Sequence, residues 1–276
     1  MKLSVSIVTY EQEGFIRQTL QSVLDQETDF DFEVIVGDDA STDQTPEILL
    51  EMAKDAPHPV RLLLADKNYG DSGLSNFMAT VDASTGEYVA FLDGDDYWHM
   101  PHKLQRQVDF LDRHPECAIC VHRCEHLLAN GDTIRTPRPN RGDAVLPVDK
   151  LIVSNFAEKI STVVRRSALE TLPDWYRTTS ASSADWLFNV LIAREGKIGY
   201  IDDVMAVHRL HSDSLSIRHG TQKLMADKLK SLELLKPYLP QSARAIARAE
   251  RRVKLKMRLL SASPRTYTAM KRLNKL

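Results

Sequence analysis

Gly86-Glu87-Tyr88-Val89-Ala90-Phe91-Leu92-Asp93-Gly94-Asp95-Asp96-Tyr97-Trp98 is the stretch that decides the fold. The apolar run from Tyr88, closing on Asp93, reads as a buried strand, and it ends in three carboxylates within four residues. The same pattern recurs upstream. Val5 to Thr9, Phe32 to Gly37 and Val60 to Ala65 are short β-branched runs. Between them lie amphipathic stretches such as Phe15, Ile16, Leu20, Val23 and Leu24, and after the fourth run Leu104, Val108 and Leu111. Thr45-Pro46-Glu47 places Pro at a first helical position behind a capping Thr, and Met100-Pro101 is expected to open the helix after the fourth strand. Strand and helix in alternation predict an α/β fold with right-handed crossovers, in which helices flank a mostly parallel sheet.

Beyond Cys117 the pattern turns to hairpin-like β, with an Asn130-Gly131 turn between Cys120 to Leu128 and Thr133 to Thr136. A Pro- and Arg-rich loop, Thr136 to Gly142, is expected to be mobile. A strand over Ile160 to Arg165, a helix over about Ser183 to Arg194 and a strand over Ile198 to Arg209 complete a mixed sheet. From Thr221 the pattern is helical and basic, broken at Pro237 to Pro240.

The chain has 276 residues, 43% of them apolar and 27% charged, which excludes disorder, collagen and a disulfide mini-protein. No apolar run approaches the roughly 18 to 20 residues that span a bilayer, and no secretory leader pattern opens the chain. Cys117, Cys120 and Cys124 are an odd number in one segment, which suits a reducing compartment; the protein is expected to be cytoplasmic. With His114, His122 and His126 the cysteines invite a zinc reading. Their alternation with Ile119, Val121 and Arg123 is that of a strand, so a structural use is expected. The net charge of -2 hides a division: residues 221–276 carry +12 and residues 1–220 carry -14.

Ligands of open parallel sheets bind outside the carboxyl ends of the strands. Those ends are Thr9-Tyr10, Asp38-Asp39-Ala40-Ser41 and Asp93 to Trp98, which bring five carboxylates to one rim. Such a cluster repels itself unless a cation sits within it. Asp-x-Asp places two carboxylates on one side of an extended chain, and hard oxygen ligands suit Mg2+ or Mn2+. The bland alternative is a solvated acidic turn capping the next helix. No Gly-rich phosphate loop follows the first strand, so a bound nucleotide would have its phosphates neutralised by metal. Asp39 would then accept from a base ring N–H, which favours uracil or thymine.

These residues carry a resemblance. Val5-Ser6-Ile7-Val8-Thr9-Tyr10, Gly37-Asp38-Asp39-Ala40-Ser41-Thr42-Asp43, Asn68-Tyr69-Gly70 with Asn76, the stretch from Gly86 to Trp98, and Ser183-Ala184-Asp185-Trp186 are together similar to family 2 glycosyltransferases of the GT-A fold, over about residues 1 to 215. The resemblance implies inverting transfer of a sugar from a nucleoside-diphosphate donor. By position it implies nucleotide contacts at Thr9, Tyr10, Glu11, Asp39, Asn68, Asp93, Gly94 and Asp95, with metal at Asp95 and Asp96 and a general base at Asp185. A third metal or diphosphate group is expected among His208, Arg209 and His211, with His211 favoured. Glu11 departs from the family, which commonly has Asn there, and adds a negative charge near the phosphates. A carboxylate on a separate element suits proton removal from an acceptor hydroxyl; Asp185 would otherwise serve as a helix N-terminal acid. Tyr97 and Trp98 would either flank the sugar or pack beneath the metal loop.

The expected organisation is a GT-A domain over 1–218, divided into a nucleotide-binding half (1–115) and an acceptor-binding half (116–218), followed by a basic helical C-terminal extension over 219–276. Residues 244–258 form a cationic helix with a modest apolar stripe, expected either to pack on the domain or to contact an anionic membrane from the cytoplasmic side. No nucleic-acid motif accompanies the charge, so nucleic acid is not an expected partner. The expected function is metal-dependent transfer from a UDP-sugar to a glycan or lipid-linked acceptor in surface-polysaccharide synthesis. The rivals are a catalytically silent nucleotide-sugar-binding or assembly protein and a sugar-phosphate nucleotidyltransferase; the latter would need a Gly-rich basic first loop, which Thr9 to Phe15 lacks.

Overall fold

The computed structural model describes residues 1–181, 183–210 and 221–263. Strands β1 (Leu3–Thr9), β2 (Phe32–Asp38), β3 (Val60–Leu64) and β4 (Tyr88–Asp93) alternate with helices α1 (Ile16–Leu24), α2 (Thr45–Lys54) and α3 (Leu74–Ala83). Then follow β5 (Tyr97–Trp98), α4 (Lys103–Arg113), β6 (Cys117–Leu128), β7 (Thr133–Arg135), β8 (Ala144–Leu146) and α5 (Val148–Val153). The remaining elements are β9 (Val163–Arg165), α6 (Arg166–Leu169), α7 (Ala184–Ala193), β10 (Lys197–Leu210), α8 (Thr221–Leu235) and α9 (Ala243–Ala262). One sheet runs β3-β2-β1-β4-β9-β6-β10-β5, with β7 beside β6 and β8 beside β10. β3, β2, β1 and β4 pair in parallel, as do β6 and β10; β9 joins the two sets antiparallel to both. The sheet is mixed and flanked by helices, as expected.

Alternation along the strands divides the core. Tyr88, Ala90 and Leu92 face a cluster containing Ile16, Leu20, Leu104 and Leu111, whereas Val89 and Phe91 face one containing Phe77, Phe188 and Leu191. On that second face β1 presents Ser4 and Ser6, both buried, and the Ser6 hydroxyl lies 2.6 Å from that of Thr80. Leu232, Leu235, Leu239, Ala245, Ile246 and Ala249 belong to the same buried cluster as Trp186 and Leu187, so α8 and the first half of α9 pack on the second half of the chain. Leu255, further along α9, is exposed.

Several local expectations change. Thr45 is not the cap of α2 but its first residue. Its hydroxyl accepts the Gln12 N–H at 2.9 Å, while Asp43 accepts the Thr45 N–H at 3.0 Å. Met100-Pro101 precedes α4 instead of opening it: the helix starts at Lys103, and Gln26 accepts the Leu104 N–H at 3.1 Å, so its cap comes from a residue far away in sequence. The strand expected from Ile160 begins only at Val163, because Lys159–Ser161 forms a 3-10 turn. There the Glu158 carbonyl accepts from the Ser161 N–H and from the hydroxyls of Ser161 and Thr162. The Asn130-Gly131 turn forms as expected, with β6 and β7 antiparallel and Gly131 at φ 85°. The Thr136 to Gly142 loop, expected to be mobile, is anchored. Arg138 Nε donates to both Asp202 carboxylate oxygens at 2.7 and 2.8 Å, and the Gly142 N–H donates to Asp202 at 2.7 Å.

Candidate functional site

The parallel register brings the strand ends together: Thr9 lies opposite Asp38, and Val8 opposite Asp93. Thr9, Asp38 and Asp39 are buried and Tyr10 is exposed. The Asp38 carboxylate accepts the Ser41 N–H at 2.9 Å and the Ser41 hydroxyl at 2.6 Å, closing its own turn. Asp39 Oδ1 accepts the Tyr69 N–H at 2.9 Å, and Asn68 donates its amide to the Asp39 carbonyl at 3.1 Å. Burial pushes the Asp39 carboxyl above its ordinary range, with Asp71 and Asp38 adding to the shift. Glu11 sits at φ 53°, and its carboxylate accepts both the Thr42 N–H (2.7 Å) and the Thr42 hydroxyl (2.9 Å). These bonds tie the β1 loop to the β2 loop.

The Asp93-Gly94-Asp95-Asp96 turn is drawn tightly against β1. Gly94 N–H donates to the Val8 carbonyl at 2.8 Å, and the buried Thr19 hydroxyl contacts the carbonyls of Gly94 and Asp96 at 2.8 and 2.7 Å. A Cβ on Gly94 would lie 2.7 Å from the Thr9 hydroxyl oxygen and overlap the Gln12 side chain, so only glycine permits this approach.

The sequence did not single out Lys159. Its Nζ lies 2.5 Å from Asp93 and 3.8 Å from Asp185, and its side chain is only 14% exposed. Burial alone would lower its pKa, but the two carboxylates raise it above the ordinary lysine value, which keeps it cationic. One ammonium therefore joins the acid at the end of β4 to the acid in the first turn of α7. Asp185 is 64% exposed at the side chain. Its helix is held from behind: Trp186 Nε1 donates to the Leu151 carbonyl at 3.1 Å, the Lys228 ammonium covers the Trp186 ring, and the Ser183 and Ser231 hydroxyls lie 2.9 Å apart.

Asp96 is buried and accepts the Arg209 N–H at 2.8 Å; burial pushes its carboxyl up, against the opposing effect of His208. Arg209 reaches back over this loop, donating to the Asp95 carbonyl and to Gln18, with its guanidinium carbon 4.5 Å from the centre of the Tyr97 ring. Trp98 is buried, its indole N–H donating to the Ile160 carbonyl at 3.0 Å, so it packs beneath the loop. His208 Nδ1 lies 3.0 Å from Glu158 Oε2, and His126 Nε2 lies 2.6 Å from Glu158 Oε1. Burial opposes ionisation of Glu158, yet the two imidazoles bring it down to about 2; His208 is raised to about 10 despite burial, by Asp96 and then by Glu158. His211, the favoured third metal group, lies outside the described residues.

The structure thus brings Thr9, Asp39, Asn68, Asp93, Gly94, Asp95 and Asp96 to one rim, with Asp185 linked to it through Lys159. Lys159, Thr19, Glu158 and Arg209's reach over the loop come from elements distant in sequence. Lys159 directly precedes Ile160 to Arg165, which reads as a strand, so no signal in the sequence placed its ammonium beside the acids. The three cysteines form no disulfide and are buried, and burial raises all three thiols.

A mixed sheet with a parallel half, an Asp-Gly-Asp turn at its carboxyl edge and an acid facing it from a later helix define a protein of the GT-A class. The chain belongs to glycosyl transferase family 2, whose sequence model matches residues 4–172. Asp185 lies beyond that match. An uncharacterised protein of Mycobacterium tuberculosis is 38% identical over 216 residues, 77% of this chain; the chain spans only 60% of the length of that relative. Among solved structures, Staphylococcus aureus TarS 1-349 in complex with UDP-GlcNAc superposes with a TM-score of 0.71 at 21% identity, covering 90% of this chain and 71% of the other. The mannosyltransferase PcManGT of Pyrobaculum calidifontis, in complex with GDP-Man and Mn2+, superposes with a TM-score of 0.62 at 18% identity, covering 99% and 79%.

Proposed function

We propose that this chain transfers a sugar, with inversion, from a UDP-sugar to a hydroxyl of a glycan or lipid-linked acceptor in the synthesis of a bacterial surface polysaccharide. The observation that carries this reading is the placement of two acids with different surroundings across one ammonium: Asp93 at the rim of the parallel sheet and Asp185, exposed, on a separate helix. Asp39 would receive the uracil ring N–H on Oδ2, since Oδ1 is occupied by Tyr69. Thr9, Tyr10, Glu11, Asn68 and Gly94 would line the nucleoside and diphosphate. Asp185 would take the acceptor proton as the hydroxyl oxygen bonds to the anomeric carbon and the bond to the diphosphate breaks.

The donor set fits a hard divalent cation, because the turn offers carboxylate oxygens from Asp93 and Asp95 with Asp96 behind them. Asp95 would be the principal ligand, as Asp96 is buried and engaged by the Arg209 N–H. Mn2+ or Mg2+ held there would stabilise the departing diphosphate. Arg209, stacked on Tyr97, is placed to add positive charge on the same side. No helix among the described residues is long and apolar enough to cross a membrane. We place the protein at the cytoplasmic face of the plasma membrane, with α9 meeting anionic lipid through its exposed basic side.

The test is thermal stability against UDP-, GDP-, dTDP- and CMP-sugars with and without Mn2+, followed by transfer with the donor that binds. A Mn2+-dependent shift with UDP-sugars is expected. Asp185→Asn should retain that shift and lose transfer by about 10² to 10⁴; near wild-type turnover would move the base elsewhere.

A further inference from the structure

His126, Glu158 and His208 lie behind the Asp-Gly-Asp turn, where the N–H of Arg209, next to His208, donates to Asp96, and the proposed transfer gives the three residues no role. Their ligand atoms all lie within 4.8 Å of one another, and two imidazoles with one carboxylate are a donor set for a borderline-soft divalent ion. We propose that these three residues bind a second metal ion, Zn2+, separate from the cation of the donor site.

The framework is set before any ion arrives. His126 and His208 are direct partners in the parallel pairing of β6 and β10, and their rings meet edge to face with centres 5.2 Å apart. Both therefore project from neighbouring strands on the same side, where backbone hydrogen bonding fixes their spacing. Glu158 is fixed from a third direction, because its carbonyl accepts from Ser161 N–H at 3.0 Å, Ser161 Oγ at 2.7 Å and Thr162 Oγ1 at 2.9 Å. Sites held on such rigid elements need little reorganisation to bind.

The adjustment required is small. Zn–N and Zn–O bonds of about 2.0 to 2.1 Å in a tetrahedral site separate neighbouring ligand atoms by roughly 3.3 Å. His126 meets Glu158 Oε1 at 2.6 Å and His208 meets Oε2 at 3.0 Å, so an ion between the imidazoles and the carboxylate replaces these hydrogen bonds with ligand atoms that already lie within 4.8 Å of one another. Side-chain exposures of 26%, 21% and 32% leave the cluster partly open to solvent. An ion here would clasp β6, the segment before β9 and the end of β10 behind the Asp93–Asp96 turn. The cysteines of β6 are not part of it: the zinc ligands His126 finds come from distant segments and not from its sequence neighbours.

The test is direct Zn2+ binding to the full chain, stripped with chelator and titrated against a competing chromophoric chelator, with no sugar donor present. One Zn2+ per chain at micromolar affinity or tighter is expected in the wild type. His126→Ala and Glu158→Gln should each weaken it about tenfold or more, whereas Asp95→Ala should bind as the wild type does. Circular dichroism of the metal-free variants checks the fold, and His126→Gln serves if His126→Ala does not fold. Co2+ in the wild type should give a spectrum of nitrogen and oxygen ligation without thiolate charge transfer. Failure of the wild type to bind Zn2+, thiolate bands with Co2+, unchanged affinity in the His126 and Glu158 variants, or loss of Zn2+ in Asp95→Ala would each overturn the proposal. None of these readouts depends on whether the chain transfers a sugar.

Discussion

The Lys159 ammonium lies 2.5 Å from the Asp93 carboxylate, at the point where the parallel half of the sheet ends. Its second neighbour, Asp185, stands on a helix that begins more than twenty residues later, so a single side chain contacts both acids.

Lys159→Met leaves Asp93 beside Asp95 and Asp185 without this counter-charge. Melting temperature in chelator should fall, and Mn2+ should restore part of the loss by taking over beside Asp93. Turnover should drop by about tenfold or more even at saturating Mn2+, because Asp185 loses its anchor. The measurements are melting curves with and without Mn2+ and initial rates at saturating donor; a variant with wild-type rates would remove Lys159 from the site.

Asp95→Ala should abolish the Mn2+-dependent part of UDP affinity while leaving the fold intact, since Asp95 sits on a turn that Thr19 and Gly94 hold through backbone groups. Calorimetric titration of UDP with and without Mn2+ checks this. Unchanged affinity with Mn2+ would contradict the assignment.

Gly37→Ala tests how closely α3 must approach β2. The added methyl would overlap the Asn76 side-chain oxygen and lie 2.7 Å from Thr80 Cγ2. Asn76 donates to the Gly37 carbonyl at 2.8 Å, so the helix cannot withdraw without losing that bond. A loss of about 1 to 3 kcal/mol in urea unfolding is expected. UDP affinity should weaken with it, because Asp38 and Asp39 follow directly.

Lys103 is wholly buried, its Nζ lies 3.7 Å from the Trp98 ring centre, and it has no hydrogen-bond partner among the described residues. Burial lowers its pKa from 10.5 to about 7. Between those values the unfolded chain holds a proton that the folded chain does not, so this group makes stability rise with pH across that window. Lys103→Met should therefore be the more stable protein by roughly 1 to 3 kcal/mol near neutral pH and below. The advantage should shrink toward about pH 10 as Lys103 becomes neutral in both states. Urea midpoints at several pH values decide it; parallel profiles for the two proteins would mean that Lys103 is not the titrating group.

Much of this protein was legible in its sequence because the relevant signals are local. A run such as Tyr88 to Leu92 alternates its side chains between two cores whatever lies around it, and strand–helix alternation commits the first half to a parallel sheet. The acids closing those strands reach one rim for the same reason. Local reasoning failed at Thr45 and α4 because a competing contact came from elsewhere: Gln12 took the Thr45 hydroxyl and Gln26 capped α4. At Ile160 the competitor was local, since the hydroxyls of Ser161 and Thr162 bond back to the Glu158 carbonyl in a 3-10 turn that delays the strand.

By itself, then, the sequence determined the sheet's parallel half, the carboxylate rim and the candidacy of Asp185. Tertiary structure alone decided that Lys159 would bridge Asp93 and Asp185, that Glu11 would accept from Thr42, and that His126 and His208 would meet across Glu158. The physical reason is separation along the chain. Periodicity reports which face a residue occupies, but charge pairing between strands and loops tens of residues apart depends on register and crossover, which no local window contains.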